Sequence, residues 1–586
     1  MMKNNIDILS EYYQYELSYL RSAGSDFARR FPKIARRLDI SHNESSDPHV
    51  ERLIESVAFL TGKLQKQIDD QFPEIAGTLL DVLYEPLVLP TPSCVMIKFD
   101  VDQSRVAKTP GVIVPKNTLL HAHSNSGEIC SFRTAHDLQL WPTEIFDATV
   151  VQREHLPSYF ARSIYYLKIG IRGNSAKSMP KKLRFYIHAD ALLRGKIFSS
   201  IFSTEENVIF QKDSSYKLIS AVKPIGTEEE ESLFPYPQTV HKGFRLLQEY
   251  FAFPDKFYGF EIELSEDCDI VGDNFLYIPM RFGISMQVSA KNFSLSSVPG
   301  VNLFPKVTEP LRLDQKQVEY CLVPDYRRYG SNEIYTVEKM VAVDAQNNDE
   351  ICVPDFFCCD FSSNYADIGI FRKTSRKKSY FKDMPGDDIY VSFIDMNFSP
   401  QHPADKIFYA YTLCTNRSLA EQIPVSGELQ IEISVPVTKI YCLDRPTPQK
   451  PAIKSGEMLW KLISALSLNS ISFSRDGIKK LREVLRVFAD GSLLDAEIDS
   501  IVSIDSFIST RRFDEQTWRG FVRGANIEIT FGTDIQNLGL PLSLVLSKFL
   551  SSYGSINTFT DVIVKNVAQN GVLKEWKQQF GTQNYL

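Results

Sequence analysis

The residues able to do chemistry are scattered along this chain. Asp47, His49 and Glu51 stand two apart in "SSDPHVERLIE" (Ser45–Glu55). Proton transfer or metal binding there would need the three side chains on one side of an element. Asp47-Pro48 is instead a helix start. The Asp side chain accepts from the free first-turn amides, and proline at the first helical position gives up only a donor without a partner. Residues two apart on a helix point about 200° away from each other. His49 and Glu51 therefore share no ligand, and both are expected on outer or partner-facing sides.

His121 and His123 lie in "LLHAHSNSGEICSFRTAH", with Cys130 and His136 nearby. A His-x-His on a strand places both rings on one face, and a Cys or a further His could complete a zinc site. The spacing to Cys130 and His136 matches no zinc pattern. A metal-dependent hydrolase on a β-rich scaffold, with its site at His121 and His123, is the alternative reading. The nine cysteines include no CxxC pair. Reduced thiols suit such a large chain better than a disulfide framework. Cys352, Cys358 and Cys359 read as hydrophobe-like core residues. No GxSxG, phosphate-cradling loop or dinucleotide fingerprint is present. Asp69-Asp70 and Asp387-Asp388 are adjacent and diverge. No catalytic, cofactor-binding or metal-binding residue is assigned, and the expectation is a protein that is not an enzyme and takes no cofactor.

The chain has 586 residues, 43% of them hydrophobic, enough for roughly three or four domains. A net charge of −7 and a pI near 5.8 lack the basic excess of a nucleic-acid binder. The basic run from Arg372 to Lys378 reads as a solvated loop. The opening "MMKNNIDILSEYYQYELSYL" is charged and amphipathic rather than a signal peptide, which argues against an adhesin. No run of about 18 apolar residues marks a membrane span. The expectation is a cytoplasmic protein without direct membrane insertion.

The fold expected is α+β and multi-domain. An N-terminal helical bundle region spans 1–90. Apolar residues from Tyr12 to Phe27 recur at helical spacing, Phe31-Pro32 interrupts, and Val50, Leu53, Ile54, Val57, Leu60 and Leu64 continue after Asp47-Pro48. A third helix is expected to start near Pro73 and to stop at Pro86. Short strand-like runs then fill a β-rich middle of sandwich- or barrel-like modules, divided at 91–245 and 246–445. Glu228–Glu231 reads as an exposed loop. Residues 446–586 read as a mixed α/β unit. The six aromatics of "YFAFPDKFYGF", with Pro254 as a bend between helix and strand, read as core.

Several long phrases together resemble one family. They are "YYQYELSYLRSAGSDFARRFPKIARRL" (Tyr12–Leu38), "DPHVERLIESVAFLTGKLQKQIDDQFPEI" (Asp47–Ile75), "PLVLPTPS" (Pro86–Ser93) and "FRTAHDLQLWP" (Phe132–Pro142). Further along come "FRLLQEYFAFPDKFYGFEI" (Phe244–Ile262), "VNLFPKVTEPLRLDQKQVEYCLVPDYRR" (Val301–Arg328), "WKLISALSLNSISF" (Trp460–Phe473) and "SINTFTDVIV" (Ser555–Val564). The sequence is similar to the TssF (ImpG/VasA) family of type VI secretion baseplate subunits. The resemblance implies a structural wedge protein, two copies embracing one TssG. It implies binding of the wedge to TssK, which links it to the inner-membrane complex, assembly around the VgrG spike, and contact with the sheath initiator TssE. It also implies a relation to contractile phage tails and no enzymatic activity. The helical stripes offer more apolar face than about 80 residues bury alone. Tyr12, Leu17, Leu20, Val50, Leu53, Val57 and Leu64 are therefore the expected contacts to TssG or to the second copy, the alternative being that they pack wholly within this chain. The polar segments Gly226–Pro237 and Lys373–Asp388 are expected to adapt where two identical chains meet one partner.

Overall fold

The computed structural model describes residues 5–35, 48–106, 111–157, 162–173, 180–237, 242–265, 268, 270–283, 287–314, 317–344, 350–356, 370–379, 386–395, 406–453, 456–466, 477–489, 492–515, 518–532, 539–554, 558–567 and 571–580. The chain divides into two compact units. One comprises Met1–Val88 with Ile453–Leu466, the other Leu89–Ala452 with Ser467–Leu586. The fold is α+β and multi-domain.

The first unit is helical. Helix α1 (Asn5–Arg30) ends where Phe31-Pro32 breaks the pattern, and the short α2 (Pro32–Ala35) follows. Helix α3 runs from Pro48 to Tyr84 without interruption. The third helix expected from Pro73 is thus the second half of α3. Proline there costs one backbone hydrogen bond, and a helix this long keeps its remaining ladder and its packing. Asp47 lies outside the described residues. α1 and α3 are antiparallel: Arg21 pairs with Glu51 at 2.5 Å near one end, and Tyr13 meets Phe59 edge-on at 6.5 Å near the other. Gly62 permits this approach. A Cβ there would sit 3.1 Å from the Tyr13 backbone nitrogen. Helix Gly456–Leu466 completes the unit, with Leu459 lying over Gly77.

The second unit is built on sheets. Its first sheet has the order 429–431, 119–123, 129–134, 297–301, 94–101, 437–442. Its two end strands meet through a Glu428–Tyr441 bridge, so the sheet closes on itself as a barrel. Ile97, Phe99, Leu120, Ala122, Cys130, Phe132, Val298, Leu429, Ile440 and Cys442 fill the interior, as alternation along each strand requires. Barrel strands come from both sides of position 245/246, and that position falls inside helix Lys242–Ala252.

Five-stranded and four-stranded sheets follow, with helix Ala191–Phe202 beside them. Tyr250, Phe251, Phe253, Phe257, Tyr258 and Phe260 are all buried. Pro254 opens a 3-10 turn between helix Lys242–Ala252 and strand Gly259–Glu263. The Lys256 ammonium is buried against the Glu249 carboxylate. Burial pulls Lys256 below the ordinary lysine range, with Glu249 opposing.

The C-terminal sheet has the order 501–515, 518–531, 558–566, 571–580. Its central pair is parallel. A parallel pair needs a crossover, and the buried helix Gly539–Ser551 lies between its strands in sequence.

Two polar segments are more ordered than their composition implies. Glu228, Glu229 and Glu230 are exposed as expected, but Glu228–Glu231 makes a capped 3-10 turn rather than an irregular loop. Glu231 is buried, accepts from the Gly226 amide at 2.7 Å and pairs with Arg184 at 3.0 Å. Within Gly226–Pro237, Leu233 and Phe234 are also core residues. Lys373–Asp388, with the basic run from Arg372, is not a solvated loop either. Its described parts belong to the antiparallel strands Ile370–Lys378 and Asp387–Asp395, and Asp388 pairs with Arg417 at 3.3 Å. Cross-strand backbone bonds and buried counter-charges hold what composition alone assigns to solvent.

Candidate partner-binding surface

The histidine group does not converge. His121 and His123 lie on the outer face of the barrel. His121 Nδ1 meets Ser131 Oγ and its Nε2 meets Glu432, each at 2.9 Å. Cys130 pairs in register with Ala122 and points into the barrel, where burial raises its thiol pKa to about 12. His136 is buried elsewhere, against Tyr186 Oη at 3.0 Å, and burial lowers it to about 4. Sheet alternation thus separates the residues that proximity in sequence suggested. Among the described residues no three His, Cys, Asp or Glu side chains form a group that could hold a metal. Cys352 is exposed rather than core. Cys358 and Cys359 lie outside the described residues.

The helical unit carries a different kind of site. The inner seam of α1 runs through Tyr12, Tyr13, Leu17, Leu20 and Gly24, all half-buried. The matching seam of α3 runs through Val50, Ile54, Ala58 and Gly62, with Glu51 on the same side. Glu51 therefore faces inward to Arg21, not outward as its place at the helix start implies. Tyr12, Leu17, Leu20 and Val50 are half-buried along the side where α1 and α3 meet.

Leu53, Val57, Leu60 and Leu64 make a second stripe, turned by roughly 120° about the α3 axis at ~100° per residue. Leu53 is 66% exposed and Leu60 60%. The spacing of four, three and four is that of a coiled-coil seam. Tyr15 and Tyr19 are exposed on α1, and Met458 and Trp460 on helix Gly456–Leu466. Burying each such leucine is worth about 1.5–3 kcal/mol. The seven expected contact residues thus fall on two faces: Tyr12, Leu17, Leu20 and Val50 inside, Leu53, Val57 and Leu64 outside. Leu60, Tyr15 and Tyr19 were not among them. The apolar residues on α3 cover too wide an arc for one seam, and that excess was the signal for Leu60.

Comparisons with known proteins agree with this architecture. The family described as "Type VI secretion system, TssF" matches residues 5–583. A type VI secretion system component TssF1 of Pseudomonas aeruginosa is 27% identical over 622 aligned residues, covering 99% of each chain. A chain of a TssK-TssF-TssG baseplate subcomplex superposes with a TM-score of 0.72 at 20% identity, over 90% of this chain and 99% of that one. A chain of a type VI secretion baseplate complex gives 0.58 at 18% identity, over 98% and 100%. Those two likenesses establish the fold. With a match along nearly its whole length, the chain belongs to the TssF family of the type VI secretion system.

Proposed function

We propose that this chain is a structural subunit of the type VI secretion baseplate. It works by binding other proteins rather than by turning over a substrate. The observation that carries the reading is the outward seam Leu53–Val57–Leu60–Leu64 on α3, which the chain's own helices leave exposed. Family membership and the shared fold with a chain of the TssK-TssF-TssG subcomplex support it.

In this reading the seam meets a helix of TssG or of a second copy of this chain, two copies serving each TssG. The wedge so formed binds TssK, surrounds VgrG and carries TssE. Contact with the inner-membrane complex runs through those partners, from the cytoplasmic side. No helix among the described residues is long and apolar enough to cross a membrane.

Co-expression with TssG and TssK, followed by native mass spectrometry, tests the reading. The expected result is a complex with two copies of this chain per TssG. A chain that stays alone at micromolar concentration overturns it.

A further inference from the structure

The basic run of strand Ile370–Lys378 stands at a sheet edge that is open over part of its length. The strand is the last in its sheet, with Asp387–Asp395 on its inner side. Odd-numbered residues bond inward, as the Ser379 amide does to the Gly386 carbonyl at 3.0 Å. Even-numbered residues aim their backbone groups outward, by the alternation of an antiparallel ladder. At Arg372 those outward groups are taken. Its amide donates to the Pro354 carbonyl at 2.9 Å, and its carbonyl accepts from the Phe356 amide at 2.8 Å. Between these two residues, Asp355 brings its carboxylate to 3.9 Å from the Arg372 guanidinium. The pairing ends there. Among the described residues no backbone group bonds the outward amides and carbonyls of Thr374, Arg376 and Lys378.

The side chains select what fits. Residues 373–378 include four cations and no anion. Arg376 turns inward to the Ile334 carbonyl at 3.2 Å, and Lys377 pairs with Glu319. Lys373 and Lys378 are exposed and make no ion pair among the described residues. Edge lysines keep sheets from joining, and two copies of this edge would meet cation against cation. The same charges attract an acidic strand. The segment of this chain already docked at Arg372 is an example of one, with Asp355 as its acid.

We propose that the edge at 374–378 docks an extended acidic segment of a partner protein, which adds a strand to this sheet. Lys373 and Lys378 are five apart and so lie on opposite faces of their strand. A strand laid along the edge puts its own residues five apart on the same two faces, so acidic groups at that spacing reach both ammonium groups. Phe356, 39% exposed and edge-on to Phe371 at 6.3 Å, offers an apolar anchor at the start of the edge. A nucleic acid lacks the backbone amides that the free carbonyls require.

The contact is separate from the helical surface proposed above, and it is read on the purified full-length chain without TssG. The probe is a short fluorescent peptide of threonine and valine with glutamates five residues apart, followed by fluorescence anisotropy. The chain carries a net charge of −7, so its overall field opposes the peptide and binding reports a local site. The peptide is expected to bind, and the same peptide with lysine in place of glutamate is expected not to. Lys373→Glu combined with Lys378→Glu is expected to weaken binding about tenfold at an unchanged melting temperature. Thr374→Pro removes one outward amide without touching the ladder and is expected to weaken binding likewise. The proposal is overturned if the acidic peptide does not bind. It is equally overturned if N-methylation of the peptide at alternate residues, or the paired lysine variant, leaves binding unchanged, or if an oligothymidylate takes the site more tightly than the peptide.

Discussion

Tyr250 donates a hydrogen bond to Glu497 at 2.8 Å, deep between helix Lys242–Ala252 and helix Ser492–Asp499. Burial lifts the Glu497 carboxyl to about 8. Folded chains therefore hold a proton there that unfolded chains release above the ordinary value of 4.5. Stability falls as pH rises between those two values, with a slope up to ~1.4 kcal/mol per pH unit. Glu497→Gln mimics the protonated form. Its thermal midpoint is expected to be flatter across that range and higher than wild type at pH 8. Parallel curves for the two proteins would refute this.

His188 and Asp444 make a second linkage of the same sign. Their side chains meet at 3.1 Å, and the hydrogen bond that the His188 ring donates to the Asp444 carboxylate raises the histidine pKa. The stabilisation is complete below the ordinary value of 6.5 and is lost as pH rises through the folded value. Both groups are over one-third exposed, so screening keeps the effect below about 1 kcal/mol. Asp444→Asn is expected to remove this pH dependence in melts from pH 5 to 8.

Lys256 and Glu249 form a pair with almost no solvent contact. Removing one member strands the other charge in the core, which costs about 3–5 kcal/mol. Lys256→Met is expected to lower the urea midpoint sharply, whereas the double change Lys256→Met, Glu249→Leu recovers much of the loss. A single variant as stable as wild type would contradict this.

The two faces of α3 are expected to respond differently. Gly62→Ile drives a side chain into the Tyr13 backbone and separates α1 from α3, so helical content and melting temperature fall together. Leu53→Glu and Leu60→Glu leave circular dichroism unchanged and abolish co-purification with TssG. Retention of TssG at normal yield by both would remove the seam from the interface.

For the barrel, His121→Ala is expected to cost less than about 1 kcal/mol, since its bonds are half-exposed. Cys130→Asp places a charge in the barrel interior and prevents folding. Elemental analysis of purified protein is expected to show no stoichiometric zinc. One equivalent of zinc, lost in His121→Ala, would revive the hydrolase reading.

Much of the helical unit was legible because α-helical periodicity is local. Phe31-Pro32 and Asp47-Pro48 punctuate it, and Tyr12 and Val50 lie on its seams. Pro73 misled because a packed helix absorbs a single missing bond. The division of the seven contact residues between two faces was not legible, since one stripe on a helix does not name its neighbour. The barrel was hidden for a related reason. Its strands are short, and apart from the local pairing of 119–123 with 129–134 their partners lie more than 150 residues away, so which face of that pair turns inward, with Cys130, and which outward, with His121, could not be assigned. Glu231 and Asp388 looked like solvated charges because their arginine partners, Arg184 and Arg417, are distant in sequence.

The closure of the barrel also sets a schedule. The amide of Cys94, at the head of the first barrel strand, donates to Thr447, 353 residues later. Strand 94–101 pairs along one edge with 437–442. At a synthesis rate of 5–20 residues per second, the first strand waits about 20–70 s for its last neighbour. During that wait its apolar face is open to any chaperone or aggregating chain. The barrel cannot fold piecemeal from the ribosome outward, and its yield depends on translation reaching Thr447 without a stall.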